Sequence, residues 1–226
     1  MKHRGLFIVI EGTDGSGKTT QFKLLVKALR RAGKTVATVD YPRYGQPSAY
    51  FVEQYLNGKY GTAKQVGPWR GSLFYALDRF AEAAQIKRWL NQGKVVVANR
   101  FTWSSAAHQG GKINSKAARQ RYWRWLFDLE FKLLGIPKPH LTIVLHMPAR
   151  VAQGLIGNKP HRRYIKRKGQ KDIHEADLAH LRAAERVYLS LAKYSKARLV
   201  ECVERGRLLT PNEIHSKVWR GVRAQR

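Results

Sequence analysis

Apolar residues in this 226-residue chain follow two alternating rhythms. Short runs rich in β-branched residues at 6–10, 35–39, 95–98, 141–145 and 199–203 read as buried strands. Between them, apolar positions recur every three to four residues, the period of an amphipathic helix. Over 19–32, Phe22, Leu25, Val26 and Leu29 share one face and Gly33 marks the stop. Further helices are predicted over 49–56, 69–91, 116–134, 173–194 and 211–221, the last opened by Pro211 at its first turn. Strands separated by helices predict a parallel sheet covered on both sides. The expected fold is therefore α/β: one three-layer, doubly wound domain over 1–226, with a five-stranded parallel sheet and helices on both faces.

Charge adds a constraint that the pattern does not. Lys and Arg number 43 against 15 Asp and Glu, a formal charge of +28, while 43% of residues are apolar. The apolar share predicts a folded chain, and the charge calls for polyanionic company: nucleotides, nucleic acid or an acidic membrane face. The apolar runs fall short of the roughly 20 residues a membrane-spanning helix needs. The basic-then-apolar opening stops at Glu11, too soon for a signal peptide. A single cysteine, Cys202, excludes an internal disulfide and a cysteine-rich metal site, which fits a cytoplasmic location. The charge is also uneven. Residues 112–171 carry fifteen basic side chains against Asp128 and Glu130, and 157–171 carry seven with no acid. That basic segment between glycines predicts a lid that anionic ligands would order.

Directly after the first apolar run comes Gly12-Thr13-Asp14-Gly15-Ser16-Gly17-Lys18-Thr19, matching the phosphate-loop pattern G-x-x-x-x-G-K-[ST] in a strand–loop–helix setting. Three glycines permit a tight turn whose backbone N–H groups converge on a phosphate at a helix N-terminus. Lys18 would reach the β and γ phosphates and the Thr19 hydroxyl would ligate Mg²⁺, with Thr20 following in the same turn. This predicts binding of a nucleoside triphosphate, but the loop alone does not separate hydrolases and switches from kinases. Switches and motors hold Mg²⁺ with an Asp at the end of a hydrophobic strand. Here the 95–98 run ends in Asn99-Arg100.

The stretch from Phe7 through the phosphate loop to Gln21 resembles the opening of thymidylate kinases, which pass the γ-phosphate of ATP to dTMP. The resemblance continues in Leu73-Phe74-Tyr75-Ala76-Leu77-Asp78-Arg79, in Asn99-Arg100-Phe101 through Ser104 to Gln109-Gly110, and in Asp172-Ile173-His174-Glu175, keeping order and spacing to about Leu191. It implies ATP and Mg²⁺ as cofactors and a homodimer built through helices. It also implies roles for particular residues. Phe74 would stack on the thymine, and Arg79 would hydrogen-bond a base carbonyl. Arg100 would grip the acceptor phosphate, with Asp14 close to the sugar 3′-hydroxyl and the metal. Tyr41, Ser105 and Gln109 would contact the nucleoside, and Glu175 would join Thr19 at the metal. Lid arginines, for which Arg162 and Arg163 are the candidates, would act in transfer beside Lys18. From the residues alone, Phe74 as core and Arg79 as a surface charge is the weaker alternative, whereas Ser105 and Gln109 read as readily as loop polarity.

Four positions depart from the family pattern. Asn99 replaces the usual Asp, leaving Glu11, Asp14 or Glu175 to supply a carboxylate. Tyr41-Pro42-Arg43 is one residue out of step with the family's Pro-x-Arg turn. His108 stands where an aromatic commonly screens the sugar. Gly15 stands where some members carry an arginine, so catalytic cations would come from the lid.

Residues 119–125 interleave Arg119, Arg121 and Arg124 with Tyr122, Trp123 and Trp125, the composition of a single-stranded nucleic-acid platform. On a helix Trp123 and Trp125 point about 200° apart, which favours an amphipathic helix packed on the sheet or on a partner subunit. Three functions follow: a dTMP kinase; a kinase of another pyrimidine nucleotide or deoxynucleoside; or a nucleic-acid-binding protein on the same fold.

Overall fold

The computed structural model describes residues 5–156, 178–195 and 197–225. The lid segment 157–171, with Arg162 and Arg163, and Glu175 lie outside the described residues. The chain runs β1 (Leu6–Gly12), α1 (Lys18–Arg31), β2 (Val36–Asp40), α2 (Tyr50–Leu56), α3 (Ala63–Asn91), β3 (Val95–Asn99), α4 (Thr102–His108) and α5 (Lys116–Phe127). Then follow β4 (Leu141–His146), α6 (Ala149–Ile156), α7 (Leu178–Ser195), β5 (Arg198–Glu201), β6 (Val203–Glu204), β7 (Arg207–Leu208) and α8 (Pro211–Arg223).

Five strands form a parallel sheet in the order β2-β3-β1-β4-β5. Strand pleat splits the core in two, because alternate residues face opposite sides. Ile8, Ile10, Val95 and Val97 pack with Leu25 and Leu29 of α1 and with Ile214, Val218 and Val222 of α8. Phe7, Val9, Val96 and Ala98 pack with Ala83 and Ile86 of α3 and with Phe101. β2 and β3 lie on one side of β1 and β4 and β5 on the other, so the crossovers diverge there and the C-terminal ends of β1 and β3 flank a switch point beside the phosphate loop.

The fold class is as predicted, while several boundaries move. The helix expected at 69–91 begins at Ala63, because Thr62 and Gln65 form a capping box. It bends at Gly67 (φ 74°) before Pro68. Residues 102–108, read only as a motif, form α4. The helix expected at 116–134 stays α-helical to Phe127 and continues as a wider π turn over Asp128–Leu133, within which Glu130 is fully buried. The strand expected at 199–203 ends at Glu201. Beyond Cys202, Val203–Glu204 pairs antiparallel with Arg207–Leu208 around Arg205 (φ 49°) and Gly206 (φ 76°), a tight hairpin that the apolar pattern alone does not display.

The aromatic-basic stretch resolves as a packed helix. Tyr122 and Leu126 of α5 are buried, Trp123 Nε1 donates to the Ala106 carbonyl at 3.1 Å, and Arg121 and Arg124 face solvent. Tyr122 and Trp123 are spent on the core, while Trp125 is half-buried against Trp69. Among the described residues no helix is long and apolar enough to cross a membrane.

Candidate active site

The phosphate loop is built by backbone that only glycine adopts without strain. Gly12, Gly15 and Gly17 have φ of 144°, 81° and 82°. A Cβ on Gly15 would lie 2.2 Å from the carbonyl oxygen of Ala152 in α6, so no side chain fits there. Lys18 Nζ donates to the Thr13 carbonyl at 2.7 Å. The hydroxyls of Thr13 and Ser16 are buried without a hydrogen-bond partner, as expected of groups waiting for a polar ligand. Thr19 and Thr20 face solvent at the start of α1, whose first turn carries no acid. The N-terminal end of α1 therefore keeps its full attraction for anions.

Behind the loop, Glu11 holds the neighbouring elements together. Its carboxylate is fully buried and accepts from Phe101 N (2.8 Å), Ser104 N (3.0 Å), Ser104 Oγ (2.7 Å) and Tyr188 Oη (2.9 Å). Burial raises its pKa, against the pull of those donors and of Arg100. Both of its oxygens are occupied by these donors, so in this structure Glu11 braces β1 against α4 and α7.

Arg100 follows β3 with φ 64°, a left-handed turn that aims its side chain back across the sheet edge. Its guanidinium forms an ion pair with Asp14 of the phosphate loop, and Nη1 donates to Ser104 Oγ at 3.3 Å. His108 Nε2 lies 3.4 Å from the same nitrogen, and His108 Nδ1 lies 3.2 Å from His180 Nε2. Burial, reinforced by Arg100, holds the His108 pKa well below the ordinary value, so this ring is neutral at physiological pH. One position earlier, Asn99 Nδ2 donates to Asp40 Oδ1 at 2.9 Å, while Asn99 Oδ1 is buried with no partner.

Arg79 is no surface charge: it is 2% exposed and makes a two-armed bond to fully buried Glu130, with Nε–Oε2 2.7 Å and Nη2–Oε1 2.6 Å. Nη2 also reaches Ser105 Oγ at 2.9 Å, whereas Nη1 has only a long 3.5 Å contact to the Phe101 carbonyl. Ser105 and Gln109 are buried side chains, not loop polarity, and Gln109 Oε1 accepts from Lys112 Nζ at 2.6 Å. Tyr41 is buried against Phe101 with its hydroxyl unpartnered, and burial raises its pKa. Phe74 is half-buried in an aromatic cluster, stacked near-parallel to Phe51 and close to Tyr55 and Tyr60.

Sequence reasoning missed three participants. Glu130 had a visible signal, being one of only two acids in a strongly basic stretch. Asp40 could be read only from strand register, Tyr188 only from the folded chain. Tyr75, four residues before Arg79 and on the same helix face, is half-buried with its ring edge-on to Tyr55. Among the described residues no group of three His, Cys, Asp or Glu side chains is placed to hold a metal by itself.

The phosphate loop follows the central strand, and the arginine just beyond the neighbouring strand pairs with the loop's own aspartate, which sets a guanidinium beside the phosphate site. That is the layout of a P-loop nucleotide kinase. A sequence model described as thymidylate kinase matches residues 10–206. Thymidylate kinase of Mycobacterium tuberculosis is 33% identical over 189 residues, 83% of this chain and 86% of that one. The Homo sapiens thymidylate kinase is 30% identical over 166 residues, 71% and 69% of the respective chains. In structure, the fold is similar to thymidylate kinase from Candida albicans, with a TM-score of 0.74 and 22% identity over 98% of this chain and 92% of that one. The chain belongs to the thymidylate kinase family.

Proposed function

We propose that the enzyme transfers the γ-phosphoryl group of ATP to the 5′-phosphate of dTMP, yielding ADP and dTDP. The observation that carries this reading is the Arg100–Asp14 pair: a guanidinium just beyond β3 stands at the rim of the phosphate loop. An acceptor phosphate gripped there would face a γ-phosphate held by the loop and Lys18. Transfer breaks the bond between the γ-phosphorus and the ADP oxygen as the bond to a dTMP phosphate oxygen forms, with no covalent enzyme intermediate. Positioning and charge neutralisation supply the catalysis.

The unpartnered hydroxyls of Thr13 and Ser16 and the unpartnered Asn99 Oδ1 fit a Mg·ATP complex, with Thr19 as the loop's metal ligand. Mg²⁺, when bound, offsets charge on the β and γ phosphates. Arg162, Arg163 and Glu175 enter this reading from the sequence alone, as lid cations and a further metal-side carboxylate. For the acceptor base, Arg79, Ser105 and Gln109 form the polar side of the pocket, and Phe74 is the stacking ring. A second ring, Tyr75, is favoured by its place on Arg79's face. A larger effect of Tyr75→Ala than of Phe74→Ala on the KM for dTMP would assign the stacking to Tyr75.

We place the enzyme in the cytoplasm as a single domain that forms homodimers. The dimer surface is best carried by α3, where Trp69, Leu73, Leu77 and Phe80 make a stripe 38–48% exposed at helical spacing. Coupled ADP release measured with dTMP, dUMP, UMP, dCMP, thymidine or water as acceptor tests the function. Turnover that depends on dTMP is expected, and its absence at every Mg²⁺ concentration would overturn the reading. The surplus positive charge favours a secondary, non-specific affinity for nucleic acid, which salt should weaken steeply.

A further inference from the structure

We propose that Asp40, oriented by Asn99, is the carboxylate that anchors the divalent cation of the bound nucleotide. The inference rests on the Mg·ATP reading of the phosphate loop and names a residue that the loop itself does not supply. Phosphate-loop enzymes complement the loop hydroxyl with a carboxylate at the end of a neighbouring hydrophobic strand. In this protein that strand is β3, and it ends in a neutral amide.

The missing charge stands one strand away. Asp40 and Asn99 are register partners at the C-terminal ends of β2 and β3, joined by the 2.9 Å Asn99 Nδ2–Asp40 Oδ1 bond. Asp40 faces solvent, and among the described residues its only hydrogen bond comes from that amide. Desolvation raises its pKa, against the opposing pull of the Asn99 hydrogen bond and of Arg100 and Lys18, the two cations beside the phosphate loop. Other nearby carboxylates are committed: Glu11 to four donors in the interior, Asp14 to Arg100, and Asp78 to Ser48 Oγ and Arg43 N.

Asn99 supplies the second observation. It is 5% exposed, and donation to Asp40 fixes its amide so that Oδ1 is left as a buried acceptor without a donor. Such an orphan is costly unless a ligand satisfies it. Water in the hydration shell of a bound cation is a donor of the required kind. The pair thus divides between two strands what one aspartate does elsewhere: Asp40 brings the charge, and Asn99 orients it and accepts a hydrogen bond.

The test is a Mg²⁺ titration of ATP binding to the full chain, followed calorimetrically without any acceptor. For Asp40→Asn, the half-saturating Mg²⁺ concentration should rise about 10–100-fold, the range for lost metal-anchoring partners. ATP affinity in EDTA should stay equal or tighten, since a negative charge has been removed. The exchange variant Asp40→Asn/Asn99→Asp should recover a Mg²⁺ requirement within a few-fold of the starting protein, and it carries the test if the single variant folds poorly. An unchanged half-saturation overturns the proposal. So does equal weakening with and without Mg²⁺, which would mark Asp40 as a positioning residue for Lys18, and so does failure of the exchange variant to recover. Normal Mg²⁺-dependent ATP binding without dTMP turnover would instead strike the proposed reaction and leave this inference standing.

Discussion

Glu130→Gln is the sharpest probe of how the acceptor pocket is held. The substitution keeps the shape of the side chain and removes its charge. Gln can still accept from Thr102 Oγ1, now 2.7 Å from Glu130 Oε2, but it meets the Arg79 fork with one oxygen and one NH₂ group. A donor then opposes a donor, and a guanidinium 2% exposed loses its counter-ion. Breaking a buried pair in this way costs about 3–5 kcal/mol. For a chain of this length each kcal/mol moves the melting temperature by roughly 2–4 °C, so a fall of about 6–20 °C is expected. Urea unfolding with a constant m-value and thermal melting give the stability. The KM for dTMP gives the functional side, and it should rise because Arg79 no longer holds Ser105 in place. Arg79→Met/Glu130→Leu separates unpaired charge from lost packing and should unfold later than Glu130→Gln, since an apolar pair leaves no uncompensated ion. A Glu130→Gln protein within about 1 kcal/mol of the parent would refute the reasoning, as would a double variant no better than the single.

Three further outcomes follow from the same geometry. Gly15→Ala should lower ATP affinity by about tenfold or more, combining about 1–2 kcal/mol of left-handed strain with the Ala152 clash; Gly17→Ala, with open space around its Cβ, should be milder, and equal effects in a binding titration would contradict this. His146, placed between Glu185 and Glu201, is desolvated, yet those two carboxylates outweigh burial and raise its pKa. Its stabilising contribution is therefore full below the ordinary histidine value of about 6.5 and lost as pH rises through the raised folded value. The stability gap between the parent and His146→Gln in urea should narrow from pH 5.5 to 9, and a constant gap would dismiss the network. Leu77→Lys/Phe80→Lys should halve the mass seen by sedimentation equilibrium, while an unchanged mass would remove α3 as the dimer surface.

Much of the architecture can be read from the chain because its determinants are local. Each β-branched run becomes a strand at or near its expected place, and the phosphate loop is a contiguous string whose glycines fall where positive φ is needed. The acceptor side is less legible. Arg79 and its partner Glu130 are 51 positions apart, and the partner lies on a π turn that apolar periodicity reads as ordinary helix. The Asn99 departure is plain in the sequence, but Asp40 becomes its complement only when β2 pairs with β3. Glu11, expected as a candidate metal carboxylate, is turned inward by donors from α4 and α7. What escapes sequence reasoning here is pairing between distant polar groups, whose chemistry is decided by the neighbour each one meets.

The packing of α8 against α1 bears on how the enzyme comes into being during translation. The phosphate-loop motif is made long before α8, yet Gln21, one turn into α1, donates at 2.8 Å to the carbonyl of Pro211, 190 positions later. Leu25 and Leu29 of α1 find Ile214, Val218 and Val222 only when that late helix arrives. A nascent chain halted before residue 211 would carry the whole phosphate-loop motif while leaving its supporting helix uncovered and prone to aggregate. The helix that supports the phosphate loop is thus covered only by residues made long after it.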